Sequence, residues 1–80
     1  MKYQLYKEVV LTKDIPEKSL KRGDIATVVE RHSAVEGEIG YTLEVFNALG
    51  DTIAVITVPE SSIEPFNKNE IFTVRSLAVS

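Results

Sequence analysis

The chain has no cysteine, no tryptophan, one histidine, four glycines and three prolines among its 80 residues. Without cysteine there is no disulfide, no thiolate metal site, no redox pair and no cysteine nucleophile. Long apolar runs are absent as well. The longest unbroken aliphatic stretch, Ile53-Ala54-Val55-Ile56, is far short of the roughly 20 residues that a membrane helix needs. The opening residues Met1-Lys2-Tyr3-Gln4-Leu5-Tyr6-Lys7-Glu8 interleave polar groups and lack the apolar stretch and small-residue cleavage site of a secretory signal. A cytoplasmic location is the expectation, and the missing cysteines agree with it. Positive charge is also scarce. Nine Lys and Arg stand against twelve Asp and Glu, a net charge of −3. That balance weighs against a general nucleic-acid binder, which must neutralise phosphates.

What remains is packing material. Apolar residues make up 44% of the chain and charged ones 26%, a composition that folds rather than staying disordered. Its length allows one core, so residues 1–80 read as a single domain. There is no internal repeat, low-complexity tract or linker.

The local patterns are those of strands. Glu8 to Thr12 is a short β-branched run that stops before Pro16. A loop through Glu17-Lys18-Ser19-Leu20-Lys21-Arg22 follows, and Gly23 marks a turn. Ile25 to Arg31 reads as a long strand with apolar residues on both faces, as a bent strand in a small barrel requires. His32 to Gly40 is polar and glycine-bearing and reads as a hairpin loop. Tyr41, Leu43 and Val45 then alternate with Thr42 and Glu44, a period of two that buries the first set. Asn47-Ala48-Leu49-Gly50-Asp51 matches a type I turn closed by glycine at positive φ. Thr52 to Val58 is the most continuous β-branched segment, and Pro59 ends it. Glu60-Ser61-Ser62 is the length of one tight turn before Ile63. Ile71 to Arg75 alternates again and is expected to pair with the beginning of the chain. The one helical alternative, Tyr3 to Leu11, is weakened by Val9-Val10 at its end. The expectation is an all-β fold, a small barrel of five or six antiparallel strands.

The order of these features resembles an SH3 domain. Leu20-Lys21-Arg22-Gly23-Asp24-Ile25 resembles the diverging turn of that fold. Val58-Pro59-Glu60-Ser61-Ser62-Ile63 is similar to its closing segment, in which a one-turn 3-10 helix leads into the last strand. The resemblance covers residues 8 to 66 and implies an SH3-like barrel there, with the terminal segments adding strands. It does not carry the proline-rich peptide site. SH3 domains hold such peptides on tyrosines and a tryptophan, whereas here the opening strand reads Val9-Val10-Leu11-Thr12, Ser62 stands in place of the turn tyrosine, and only Pro59 of that site is present. Taken with Leu5-Tyr6-Lys7-Glu8, Thr27-Val28-Val29-Glu30, Leu43-Glu44-Val45-Phe46 and Thr52-Ile53-Ala54-Val55, the pattern also resembles a family of short, stand-alone bacterial proteins of unknown function, often cyanobacterial. That likeness implies no catalytic residue or cofactor. Some members of that kind stand beside small toxin-like proteins, which implies an antitoxin-like role.

Few residues invite chemistry. His32 has no nucleophile or acid aligned with it by any motif, and a solvated histidine at a hairpin lip is the plainer reading. Glu36 and Glu38 point the same way in an extended segment, but two carboxylates do not make a calcium site of six to eight oxygens. Nor is a concave site implied around them for paired-acid hydrolysis. No enzyme, metal site or cofactor is expected. Charge along the chain is more informative. Residues 30 to 51 carry Glu30, Glu36, Glu38, Glu44 and Asp51 against Arg31 alone, a deficit of four. Such a surface steers a basic partner, with Glu36, Glu38 and Glu44 as its contact residues, although acidic side chains also simply aid solubility. The expected function is a protein-interaction module, adaptor or antitoxin-like inhibitor. The alternative rests on Gly23-Asp24-Ile25-Ala26-Thr27-Val28-Val29, which resembles the glycine-plus-aliphatic strand of KOW-like, ribosome-associated barrels; it would use Lys18, Lys21 and Arg22 on nucleic acid. The surplus in residues 13 to 24 is one positive charge, and nucleic acid is therefore the less expected partner. Tyr3, Leu5 and Tyr6 at one end and Phe66, Ile71, Phe72, Val74 and Leu77 at the other need covering, by closure of the barrel or by a homodimer interface.

Overall fold

In a computed structural model, residues 3–35 and 37–66 are described. They form one antiparallel sheet of five strands in the order β4-β3-β2-β1-β5, with β1 at Glu8–Leu11, β2 at Ile25–Val35, β3 at Glu38–Phe46, β4 at Thr52–Pro59 and β5 at Ile63–Pro65. Two 3-10 turns, Pro16–Lys18 and Glu60–Ser62, complete the ordered elements, and the second leads directly into β5. The all-β expectation holds, with five strands and a 3-10 turn before the last. None of the described helical turns is long and apolar enough to cross a membrane. The run from Ile71 to Arg75 lies outside the described residues.

Turn chemistry sets the registers. In the loop between β3 and β4, Gly50 N–H donates to the Asn47 carbonyl at 3.0 Å, while the Asn47 side-chain oxygen accepts from the backbone N–H of Leu49 and of Asp51, both at 2.9 Å. Gly50 sits at φ +89, the left-handed position that ends such a turn. Before β2, Asp24 N–H donates to the Lys21 carbonyl at 3.0 Å and Gly23 takes φ +94, the conformation that a type II turn needs at its third residue. The β2–β3 hairpin is tighter than its polar sequence suggests. β2 runs on through His32 and Ser33 to Val35, and β3 begins at Glu38. Cross-strand pairing outweighs the local turn-forming tendency of these residues.

One irregularity in β2 decides which side chains face the core. Val28 pairs with Leu43 but Glu30 pairs with Thr42, so Val29 is an extra residue in the ladder. A bulge of this kind reverses the alternation. Ala26 and Val28 before it are buried, whereas Glu30 and His32 after it share the outward face with Thr42. Without the extra residue, Glu30 would follow Val28 into the core. There Val9, Leu11, Val28, Tyr41 and Leu43 are all but fully buried, joined by Leu20, Val45, Ile56, Val58 and Ile63. Burying a side chain of the Val, Leu or Ile type contributes about 1.5–3 kcal/mol, and this cluster is the main source of stability. The chain's beginning contributes too. Tyr3 is buried, with its ring edge-on to Tyr41 at a centroid distance of 5.3 Å, but it stands outside any strand, and Leu5 and Tyr6 beside it are exposed. Tyr3 alone of this segment plugs the core, and residues 3–7 form no strand.

Candidate functional site

The outward face of β3 collects the acidic side chains. Alternation along β3 places Glu38, Thr42 and Glu44 on that face, opposite the buried Tyr41, Leu43 and Val45. Registers then bring others alongside. Glu8 pairs with Thr27, Thr27 with Glu44 and Glu44 with Val55, a row that crosses four strands. Glu30 belongs to the adjacent row, opposite Thr42 and Thr57. Neighbouring strands lie about 4.8 Å apart, so Glu8, Glu30 and Glu44 surround Thr27 within roughly 10 Å. In the sequence Glu8 is legible only as the start of a strand, and Glu30 only as part of a regional charge sum. Their convergence requires the register and the bulge.

The expected contact residues have separate fates. Glu38 and Glu44 are six positions apart on β3, about 20 Å at the rise of a strand. Glu38 is turned to the second 3-10 turn, where its carboxylate accepts from Ser61 N–H at 2.7 Å and from the Ser61 hydroxyl at 3.2 Å. It pins that turn. Glu44 accepts from the Thr52 hydroxyl at 3.0 Å and otherwise borders the exposed Phe46 and Val55. Glu36 lies outside the described residues. Between the two acids runs a ladder of hydrogen-bonded polar groups. His32 Nε2 is 2.6 Å from Thr42 Oγ1, which is 2.9 Å from Thr57 Oγ1. The histidine is half-buried within the sheet face rather than at the lip of a loop. Among the described residues no three His, Asp or Glu side chains group as metal ligands would.

Two further features escape a reading of the sequence. One is a polar cluster at the base of the core. Tyr41 donates its phenolic hydrogen to Glu60 Oε2 at 3.0 Å and accepts from Tyr3 N–H at 3.4 Å, while Tyr3 donates its own hydroxyl to the Ile63 carbonyl at 3.1 Å. Burial raises the Tyr41 hydroxyl above its ordinary pKa, the Tyr3 N–H draws it back, the Glu60 carboxylate raises it and the Arg31 charge lowers it. The signal in the sequence is no more than a tyrosine inside an alternating strand. The other feature is a groove of about 370 Å³ between Ile15, Glu17 and Lys18 on one side and residues 55–59 of β4 on the other. Its first wall is held by Ile15 and Leu20, whose backbones exchange hydrogen bonds of 2.8 and 3.0 Å and whose side chains pack on the core. Lys18, Lys21 and Arg22 are exposed around this loop. Asp24 and Asp14 stand among them, accepting from Lys21 N–H at 2.8 Å and Arg22 N–H at 2.9 Å.

Fold and surface define a small all-β domain with a continuous core and a charged outer face. Residues 5–65 match a family described as a domain of unknown function (DUF4926), and the chain belongs to it. Comparison with curated proteins and with solved structures finds no match.

Proposed function

We propose that this domain is a non-enzymatic, SH3-like protein-interaction module, an adaptor or antitoxin-like inhibitor, that meets a basic partner through the outward face of β2 and β3. The adjacency of the first and last strands, and the 3-10 turn leading into β5, support the SH3-like reading. The observation that carries the functional one is the grouping of Glu8, Glu30 and Glu44 around Thr27, bordered by the exposed apolar side chains of Phe46 and Val55. An apolar patch with charges at its margin is how protein interfaces are commonly built, and charge of one sign selects and steers the partner. Glu38 has a positioning part here, because its carboxylate is committed to Ser61.

The test is the paired reversal Glu30→Lys and Glu44→Lys. Both side chains lie on the solvent side of the sheet, so circular dichroism and thermal stability should change little. Binding of a partner recovered from the native cell should be lost in the variant and weakened by salt in the wild type. Retention of that partner at wild-type strength by the folded variant refutes the reading. The KOW-like alternative rests on Lys18, Lys21 and Arg22, which are exposed together. It predicts RNA binding that falls steeply with salt and is lost in a Lys21→Glu, Arg22→Glu variant.

A further inference from the structure

We propose that the free edge of β4 is an interface between two copies of this chain, which pair their β4 strands antiparallel about a two-fold axis at Val55. Among the described residues, β4 is the last strand of the sheet, with β3 on one side and no strand on the other. Sheets ordinarily protect such an edge with lysine, interior proline, a bulge that twists it away or a very short strand. β4 has little of this protection beyond the loop at Ile15, Glu17 and Lys18, which stands across a groove from residues 55–59. It is eight residues long, carries no charged side chain from Thr52 to Val58, and meets proline at its final residue. Its bulge, at Ile53, lies at the hairpin end. Ile53 and Val55 are 37% and 52% exposed although aliphatic. An uncharged edge also lets two copies of an acidic chain approach without opposing like charges at the axis.

The register follows from the faces. Continuing the sheet requires inward side chains to lie beside inward ones, so the two-fold axis must pass through a residue rather than between two. Centred on Val55, the pairing sets Val55 against its own copy, Ile53 against Thr57 of the second copy, and the half-buried Ala54 against Ile56. The small alanine thus faces the large isoleucine. Asp51 falls opposite Pro59 of the second copy, at the groove lined by Glu17 and Lys18. This groove separates residues 55–59 from Ile15, Glu17 and Lys18 of the same chain, and the second copy's strand enters along it.

A chain without cysteine makes the test direct. Val55→Cys places a single thiol on the axis, where facing Cα atoms in an antiparallel pair lie about 4.5–5.5 Å apart, within disulfide reach. Leu49→Cys places one at a residue that is 88% exposed but far from the axis. In full-length protein, the expected result is a wild-type dimer by sedimentation equilibrium. Oxidative cross-linking of the Val55→Cys variant should exceed that of the Leu49→Cys variant about tenfold or more, because pairing raises the local thiol concentration. Val55→Lys should give a folded monomer. A wild-type monomer throughout the concentration series, or cross-linking at position 49 equal to that at 55, overturns the proposal. Cover of β4 by another segment of the same chain would give that monomeric result.

Discussion

Replacing Tyr41 by phenylalanine tests the account of the core most directly, since it keeps the ring and removes one oxygen. That oxygen donates to Glu60 Oε2 at 3.0 Å and accepts from Tyr3 N–H at 3.4 Å. A hydrogen bond to a charged group contributes about 1.5–3 kcal/mol, and leaving a buried partner unsatisfied adds to the loss. Here Glu60 is half-exposed, so water replaces the lost donor, and the bond from Tyr3 is long. The expected destabilisation is therefore at the low end, about 1–2 kcal/mol. For a domain of this size, each kcal/mol lowers the melting temperature by about 4–8 °C. Urea unfolding followed by circular dichroism should show a lower midpoint with an unchanged slope, because the exposed area is the same. Alkaline pH separates this mechanism from a packing effect. The Tyr41 hydroxyl is raised above its ordinary value of 10.0, chiefly by burial. The unfolded chain gives up this proton near pH 10 and the folded chain holds it to higher pH, so unfolding releases a proton in that interval. Its stabilising contribution is complete below pH 10 and is lost as pH rises through the folded value. The wild type should thus lose stability above pH 10 more steeply than Tyr41→Phe, and the two curves should converge. Equal stability at pH 7 together with parallel alkaline slopes would refute the reasoning.

Substitutions at two further positions probe other levels of the structure. Leu43→Ala deletes a fully buried side chain at the centre of β3 and should cost about 2–5 kcal/mol by chemical denaturation, enough to unfold much of a domain this small at 37 °C. Gly50→Ala meets no atom within 4 Å of its added Cβ, so any loss comes from holding alanine at φ +89. The expected cost in a thermal melt is about 1–2 kcal/mol, with Gly50→Asn losing less.

Legibility in the sequence follows the range of the cause. β1 and β4 are readable because their β-branched runs end at local signals, and the 47–51 turn because Asn47 and Gly50 dictate its geometry within five residues. The apolar residues on both faces of Ile25 to Arg31 are visible, but they do not reveal that Val29 is an extra residue in the ladder. That depends on the partners of Val28 and Glu30 across the sheet. For the same reason the sequence does not set Glu8 and Glu30 beside Glu44. It suggests Glu38 there instead, six positions from Glu44, although the Glu38 carboxylate serves Ser61. Sequence proximity likewise groups Tyr3 with Leu5 and Tyr6 as apolar residues to be covered together. Tyr3 alone is buried, because its ring meets Tyr41 and its hydroxyl reaches the Ile63 carbonyl, 60 positions further on. A 3-10 turn is legible at Glu60–Ser62 and not at Pro16–Lys18, which depends on Ile15 and Leu20 both finding the core.

The pairing of β1 with β5, in which Val9 lies opposite Pro65, sets an order of events for a chain being made on the ribosome. β2, β3 and β4 are joined by short connections and can assemble as a meander as soon as they emerge. β1 is made first, yet its second edge stays open until residues 63–65 follow. Closing a loop that spans most of the domain is the slow, entropically costly step. Until then the Tyr3 hydroxyl also lacks its acceptor at Ile63, so a residue that emerges ahead of all five strands is among the last to settle.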